Sequence, residues 1–220
     1  MVGWGNKEVF MKNFDYVSKN ERKQAKKDLI DLICCVKDEV RNYFTFRFDF
    51  VGSDPLNMVT RDTKSNVGYD FDVNIEVNDP EENYTPEEIK RIIKNGFDCY
   101  NHYFDYDYCE DSSRVLTIKV KDRKNSRIIH SCDFAIVYNL SDGRQQYIRF
   151  NKLHNSYYWE FQPKGYYKQD EKIRNLKKYG YWKEVRDVYL KKKNYNTDTN
   201  KKSRHLRAET INEIYNKYFR

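Results

Sequence analysis

The sequence has no long apolar run: Leu32 to Val36 is among its longest, far too short to span a bilayer. The opening MVGWGNKEVFMKNF likewise holds no apolar core of signal-peptide length, so a cytoplasmic protein without a membrane partner is expected. No G-x-x-x-x-G-K occurs, which excludes a Walker-type phosphate loop. None of the five cysteines (Cys34, Cys35, Cys99, Cys109, Cys132) forms a C-x-x-C, and an odd count fits a reducing compartment better than a disulfide framework. Cys34, Cys35 and Cys132 read instead as small hydrophobes in apolar surroundings. Cys99, His102 and Cys109 lack a fourth ligand for zinc. Internal repeats and low-complexity tracts are absent as well.

What is present is polar and aromatic. Of 220 residues, 34% are charged and 16% aromatic, so the core must lean on Tyr and Phe. The length suits one domain, or a core with a smaller appendage, and regular apolar periodicity rejects disorder. The formal charge of +7 is unevenly spread: residues 1–150 carry 23 Lys and Arg against 26 Asp and Glu, whereas residues 151–220 carry 18 against 8. A basic C-terminal third points to a polyanionic partner, either nucleic acid or nucleotide phosphates, or to a solvated surface.

Periodicity sets the expected elements. Val9, Phe10, Phe14 and Val17 allow a short amphipathic helix. Ser18 to Glu21 reads as a capping box, and Ala25, Leu29, Leu32, Ile33, Val36, Val40 and Tyr43 follow at helical spacing. A strand over 46–51 and a second over 69–77 flank a long polar loop. Thr85-Pro86-Glu87-Glu88 opens a second helix with a buried stripe of Ile89, Ile92, Ile93, Phe97, Tyr100 and Phe104. Strands are expected at 114–120, 128–139 and 145–151. Residues 152–168 read as irregular and aromatic, and three basic helices with a polar linker at 194–200 complete the chain. The expected division is a core over 1–150 and a helical region over 151–220.

The chemistry concentrates between Phe46 and Val77. A strand runs into Gly52-Ser53, and the next strand carries Asp70 and Asp72, which share one face because strand side chains alternate. A turn with exposed N–H groups and a hydroxyl, beside two carboxylates, can hold a triphosphate against magnesium. Asp133 sits between Cys132 and Phe134 in an apolar strand, where a carboxylate needs a cation; three such acids suffice for two-metal phosphoryl chemistry. The bland alternatives are a solvent face for Asp70 and Asp72, and an ion pair of Asp133 with Arg114. His130 reads as a satisfied sheet residue. The aromatic residues Tyr157, Tyr158, Trp159, Phe161, Tyr166 and Tyr167 suit either base stacking or packing.

Helix, strand with Gly52-Ser53, strand with Asp70-Phe71-Asp72-Val73, helix, and a later strand with Cys132-Asp133-Phe134: this order resembles the DNA polymerase beta nucleotidyltransferase superfamily. It is most similar to the branch of oligoadenylate synthetases and bacterial cyclic-oligonucleotide synthases, over roughly residues 20–140. The resemblance implies an α/β (α+β) fold: a mixed sheet flanked by helices, with a small C-terminal helical lobe. It implies transfer of a nucleoside monophosphate from an NTP such as ATP to an acceptor hydroxyl, with Mg2+ (or Mn2+) as cofactor and RNA or another nucleotide as acceptor. Gly52 and Ser53 would bind the triphosphate, and Asp70, Asp72 and Asp133 would hold metal. The basic C-terminal residues would neutralise pyrophosphate. Sixteen residues separate Ser53 from Asp70, more than is usual in the family, and bring Arg61 and Lys64 into that region. A basic RNA- or nucleotide-binding protein of the same fold, without turnover, is the competing reading.

Overall fold

The computed structural model of the chain describes residues 12–163 and 167–220, without the side chains of 167 and 168. In chain order the elements are β1 (Phe14–Tyr16), α1 (Lys23–Val40), β2 (Thr45–Val51), β3 (Thr60–Asp62), β4 (Tyr69–Asn78) and α2 (Pro86–Tyr100). There follow β5 (Glu110–Asp111), β6 (Leu116–Asp122), β7 (Arg127–Asn139), β8 (Gln145–Asn151), β9 (Ser156–Phe161), α3 (Tyr167–Lys178), α4 (Trp182–Tyr195) and α5 (Ser203–Phe219). Two compact units result. One takes in Val17–Arg61 and Ser65–Pro163; the other combines β1, Asp62–Lys64 and the three C-terminal helices.

The larger unit is a mixed α+β sheet of seven strands in the order β2-β4-β7-β6-β5, with β8 pairing β7 and β9 completing the edge. Only β4 and β7 run parallel; every other pair is antiparallel. A parallel pair needs a crossover, and α2 with the β5–β6 segment supplies it. Strict alternation makes one sheet face apolar. Phe46, Phe71, Val73, Ile75, Val77, Leu116, Ile118, Cys132, Phe134 and Ile136 are buried there with Leu29, Leu32, Ile33, Val36 and Val40 of α1 and Ile89, Ile93 and Phe97 of α2. The helices pack closely: a Cβ on Gly96 would lie 2.9 Å from Val36 Cγ1.

Helix starts show local chemistry at work. At α2 the expected capping box forms, with Thr85 Oγ1 accepting from Glu88 N–H at 3.3 Å and Glu88 Oε2 accepting from Thr85 N–H at 2.9 Å. At α1 it does not: Ser18 Oγ accepts from Glu21 N–H at 3.1 Å, but the helix begins only at Lys23. Arg22 occupies the cap, its side chain buried against Asp54. The helix also stops at Val40, leaving Tyr43 exposed in a turn, and α2 ends at Tyr100, with Asn101–Phe104 tightening into a 3₁₀ turn.

Other departures share one cause, short strands lacking a strong alternating pattern. Residues 14–16 form β1 where a helix was allowed, while Val9 and Phe10 lie outside the described residues. The polar 54–68 loop contains β3, the acidic 106–113 segment contains β5, and the aromatic 152–168 stretch contains β9. Cys132 is buried as expected, whereas Cys34 is exposed and Cys35 only half-buried, since they lie off the inward stripe of α1.

In the smaller unit Leu176, Val185, Ile211 and Ile214 form the core of α3–α5. Asn194 fastens β1 to α4, its Oδ1 accepting from Phe14 N–H at 2.7 Å and its Nδ2 donating to Phe14 O at 3.1 Å. Among the described residues no helix is long and apolar enough to cross a membrane.

His130 is a core residue, as its alternation suggested. It is 7% exposed, stacked on Tyr69 and bonded through Nε2 to Tyr106 Oη at 3.1 Å, while Nδ1 finds no partner among the described residues. Burial holds its pKa down at about 4 against an ordinary 6.5, with Asp28 pulling the other way. The unfolded chain therefore binds a proton between those values that the folded chain refuses. Stability from this group is complete above pH 6.5 and falls as pH drops toward 4, by on the order of 3 kcal/mol. His130→Phe should flatten that part of the curve, measured as denaturant midpoint against pH; an unchanged slope would refute the assignment.

Candidate active site

The β4 alternation that buries Phe71, Val73, Ile75 and Val77 turns Asp70 and Asp72 to the opposite face. The parallel register then pairs Asp72 with Asp133 and Asp70 with Ser131, so all three acids share that polar face across two neighbouring strands. On the next strand Thr117 pairs with Asp133 and Lys119 with Ser131; beyond it Glu110 pairs with Thr117. The row Asp72, Asp133, Thr117, Glu110 thus crosses four strands.

Each acid has its own surroundings. Ser131 donates its hydroxyl to Asp70 Oδ1, and Thr117 donates to Asp133 Oδ1 at 2.6 Å. Arg114 is not the partner of Asp133: it lies over the Tyr147 ring. Burial pushes the Asp133 carboxyl above the ordinary carboxylate value; the Thr117 hydrogen bond opposes this, and the charge of Asp70 adds to it. Lys119 offsets part of the rise from its ion pair with Glu110 at 2.5 Å. Sequence reading missed Ser131, Thr117, Lys119 and Glu110. Ser131 was within reach, two residues from Asp133 on the same strand face, but the other three need the register of β5, β6 and β7.

Across β4 the Gly52-Ser53 turn closes the site. Gly52 adopts φ +69°, and a Cβ there would run into the Asp72 carboxylate. Only glycine lets the backbone approach the acid so closely in this left-handed conformation. The loop beyond is pinned by Met58 N–H to Ser53 O at 2.9 Å and Asn57 N–H to Asp54 O at 3.0 Å. The turn and the three acids accordingly belong to one unit.

These donors suit a hard dication: three carboxylates on one face, one of them made costly by burial and by its neighbour. Among the described residues, however, no three Asp, Glu, His or Cys side chains are gathered tightly enough to hold a metal ion. Cys99, His102 and Cys109 form no such group either. The exposed Lys64 falls in the short segment that groups with the helical unit, and Arg61 is ion-paired with Glu21. Tyr157 and Trp159 pack against the main core, the Tyr157 hydroxyl donating to Asp111 at 3.0 Å; Tyr166 and the Tyr167 side chain lie outside the described residues.

No protein-family model matches the chain, and no curated protein matches it. Solved structures do. Vibrio cholerae DncV in its GTP-bound form is similar over 90% of this chain and 52% of its own, with 16% identity and a TM-score of 0.58. DncV is described as a cyclic AMP-GMP synthase. The Elizabethkingia meningoseptica cyclic dinucleotide synthase CdnE with GTP and Apcpp matches over 88% of this chain and 70% of its own, at 14% identity and a TM-score of 0.53. The Bradyrhizobium diazoefficiens CD-NTase CdnG in complex with GTP matches over 70% of this chain and 41% of its own, at 11% identity and a TM-score of 0.51. The chain spans about half the length of DncV and less of CdnG. At such identities the likeness speaks to architecture, and the chain has the nucleotidyltransferase fold found in these bacterial CD-NTases.

Proposed function

We propose that the chain is a metal-dependent nucleotidyltransferase that moves a nucleoside monophosphate from an NTP to an acceptor hydroxyl and releases pyrophosphate. The observation that carries this reading is the β4–β7 register, which sets Asp72 beside Asp133 on the face where Gly52 touches the Asp72 carboxylate. The fold supports it, being that of structures solved with GTP. Two of those neighbours are named as synthases of cyclic dinucleotides, which favours a second nucleotide as the acceptor.

In this reading Gly52 and Ser53 seat the triphosphate; among the described residues the Ser53 hydroxyl has no hydrogen-bond partner. Asp70, Asp72 and Asp133 would hold Mg2+ or Mn2+, which when bound supplies charge neutralisation at the phosphates and acidifies the acceptor hydroxyl. Asp133, whose burial raises its proton affinity, is placed to take the acceptor proton. The acceptor oxygen bonds to the α-phosphorus, the bond from that phosphorus to the bridging oxygen breaks, and pyrophosphate leaves with the electron pair. Thr117 and Ser131 hold the two carboxylates in orientation through their hydroxyls.

The competing reading is nucleotide binding without turnover, and the engagement of Asp70 and Asp133 by hydroxyls favours it. One assay separates the two: wild-type protein with each labelled NTP and Mg2+ or Mn2+, with and without RNA, followed by product separation. Asp70→Asn with Asp72→Asn should cut pyrophosphate release by roughly 10²-fold or more while nucleotide binding stays measurable. A wild type that releases none under any of these conditions refutes the catalytic reading.

Two further substitutions distinguish site from scaffold. Asp133→Asn removes a carboxylate that burial disfavours, so the melting temperature should hold or rise while turnover is lost; a fall in both would mark Asp133 as structural. Gly52→Ala should cost about 1 kcal/mol from its left-handed backbone and displace Asp72, lowering turnover far more than stability alone explains.

A further inference from the structure

Immediately after Ser53 stands a charge that the proposed chemistry does not use. Asp54 is 5% exposed, although it belongs to a polar surface turn. Arg22 Nε donates to its Oδ1 at 2.7 Å and Lys26 Nζ to its Oδ2 at 2.5 Å. The same guanidinium donates from Nη1 to Val17 O at 2.7 Å and from Nη2 to Asn57 Oδ1 at 3.2 Å. The Lys26 ammonium also lies 4.2 Å from the centre of the Phe50 ring. One residue before the turn and two after it are thereby held by side chains from the start of α1.

Burying an arginine and an aspartate is costly unless their geometry is good, and removing one partner leaves the other unpaired. Burial would raise the Asp54 carboxyl, yet Lys26 and Arg22 hold it below its ordinary value, so the group stays charged. Arg22 and Lys26 together compensate that carboxylate, while Arg61 pairs with Glu21. The clamp also explains why α1 begins at Lys23 rather than at the serine cap: Arg22 is drawn into it.

We propose that Asp54, clamped by Arg22 and Lys26, is a positioning residue that holds the Gly52-Ser53 turn in the form that receives the triphosphate of a nucleotide. The proposal rests on the reading of that turn as the phosphate site. Asp54 does not touch the phosphate; it fixes the backbone that does. Loosening the clamp therefore weakens triphosphate binding before it affects the reaction of bound substrate.

The test compares wild type with Asp54→Asn, Lys26→Met, Arg22→Ala and Arg22→Lys for KM and kcat with GTP and ATP, melting temperature, and amide exchange at Met58, whose N–H is bonded to Ser53 O. Lys26→Met keeps an apolar stem against Phe50 and the buried Arg22–Asp54 pair, so it guards against loss of folding in Asp54→Asn. The expected result is a KM raised about tenfold with kcat within about threefold, faster Met58 exchange, and partial recovery in Arg22→Lys relative to Arg22→Ala. Unchanged KM in Lys26→Met, or activity lost only in proportion to folded protein, overturns the proposal. If the wild type releases no pyrophosphate, the catalytic reading falls and calorimetric titration with GTP decides for the clamp. Wild type binding more tightly than Lys26→Met upholds it; equal affinity, or no binding by either, overturns it.

Discussion

Everything at the candidate site depends on one constraint, the parallel pairing of β4 with β7. Strand side chains alternate with period two, so a slip of one residue would turn Asp133 into the core and Phe134 out. The apolar face prevents that slip: Phe71, Val73, Ile75, Cys132, Phe134 and Ile136 are all 1% exposed or less. Their burial fixes the register, and the register brings Asp72 beside Asp133. The acids therefore owe their placement to hydrophobic residues on the other side of the sheet, which stabilise the arrangement despite the repulsion between the carboxylates.

The turn before β4 is tied to the same pairing from the opposite direction. β2 runs antiparallel to β4 with Val51 opposite Asp72, so the chain leaves β2 directly over that acid. Glycine at 52 is what the close approach requires. The Arg22–Asp54–Lys26 clamp then fixes the loop to α1, and α1 in turn packs on the apolar face that set the register. Helix, turn and acid strand form one continuous mechanical path within the larger unit, so rigidity of the core reaches the proposed phosphate site.

Much of this was legible from residue order. Asp70-Phe71-Asp72-Val73 declares its faces by alternation, and Thr85-Pro86-Glu87-Glu88 declares a helix start, because both are local patterns with a mechanical cause. Thr117, Lys119 and Glu110 were not legible, since their place beside Asp133 follows from pairings across strands that no local spacing encodes. Lys90 was hidden for a related reason. It lies on the buried side of α2, 2% exposed, because Asp111 at 2.6 Å and the Ser112 carbonyl at 2.6 Å satisfy it. The strand β9 was obscured by its aromatics, which suit a ligand platform and a half-buried sheet edge equally well.

The charges on the polar face argue for what it attracts. The strand cations Arg47, Lys119 and Arg149 stand on it, and each is committed to a carboxylate elsewhere: Arg47 to Glu76, Lys119 to Glu110 at 2.5 Å and Arg149 to Glu160. Asp70 and Asp133 receive hydroxyls, which orient carboxylates without neutralising them. Arg22 and Lys26 gather instead around Asp54, three residues from Val51 at the end of β2, where a buried carboxylate is fully compensated. An anchor built of ion pairs, beside a face whose carboxylates are oriented by hydroxyls, is the division expected of a scaffold that holds a turn rigid while presenting its acids.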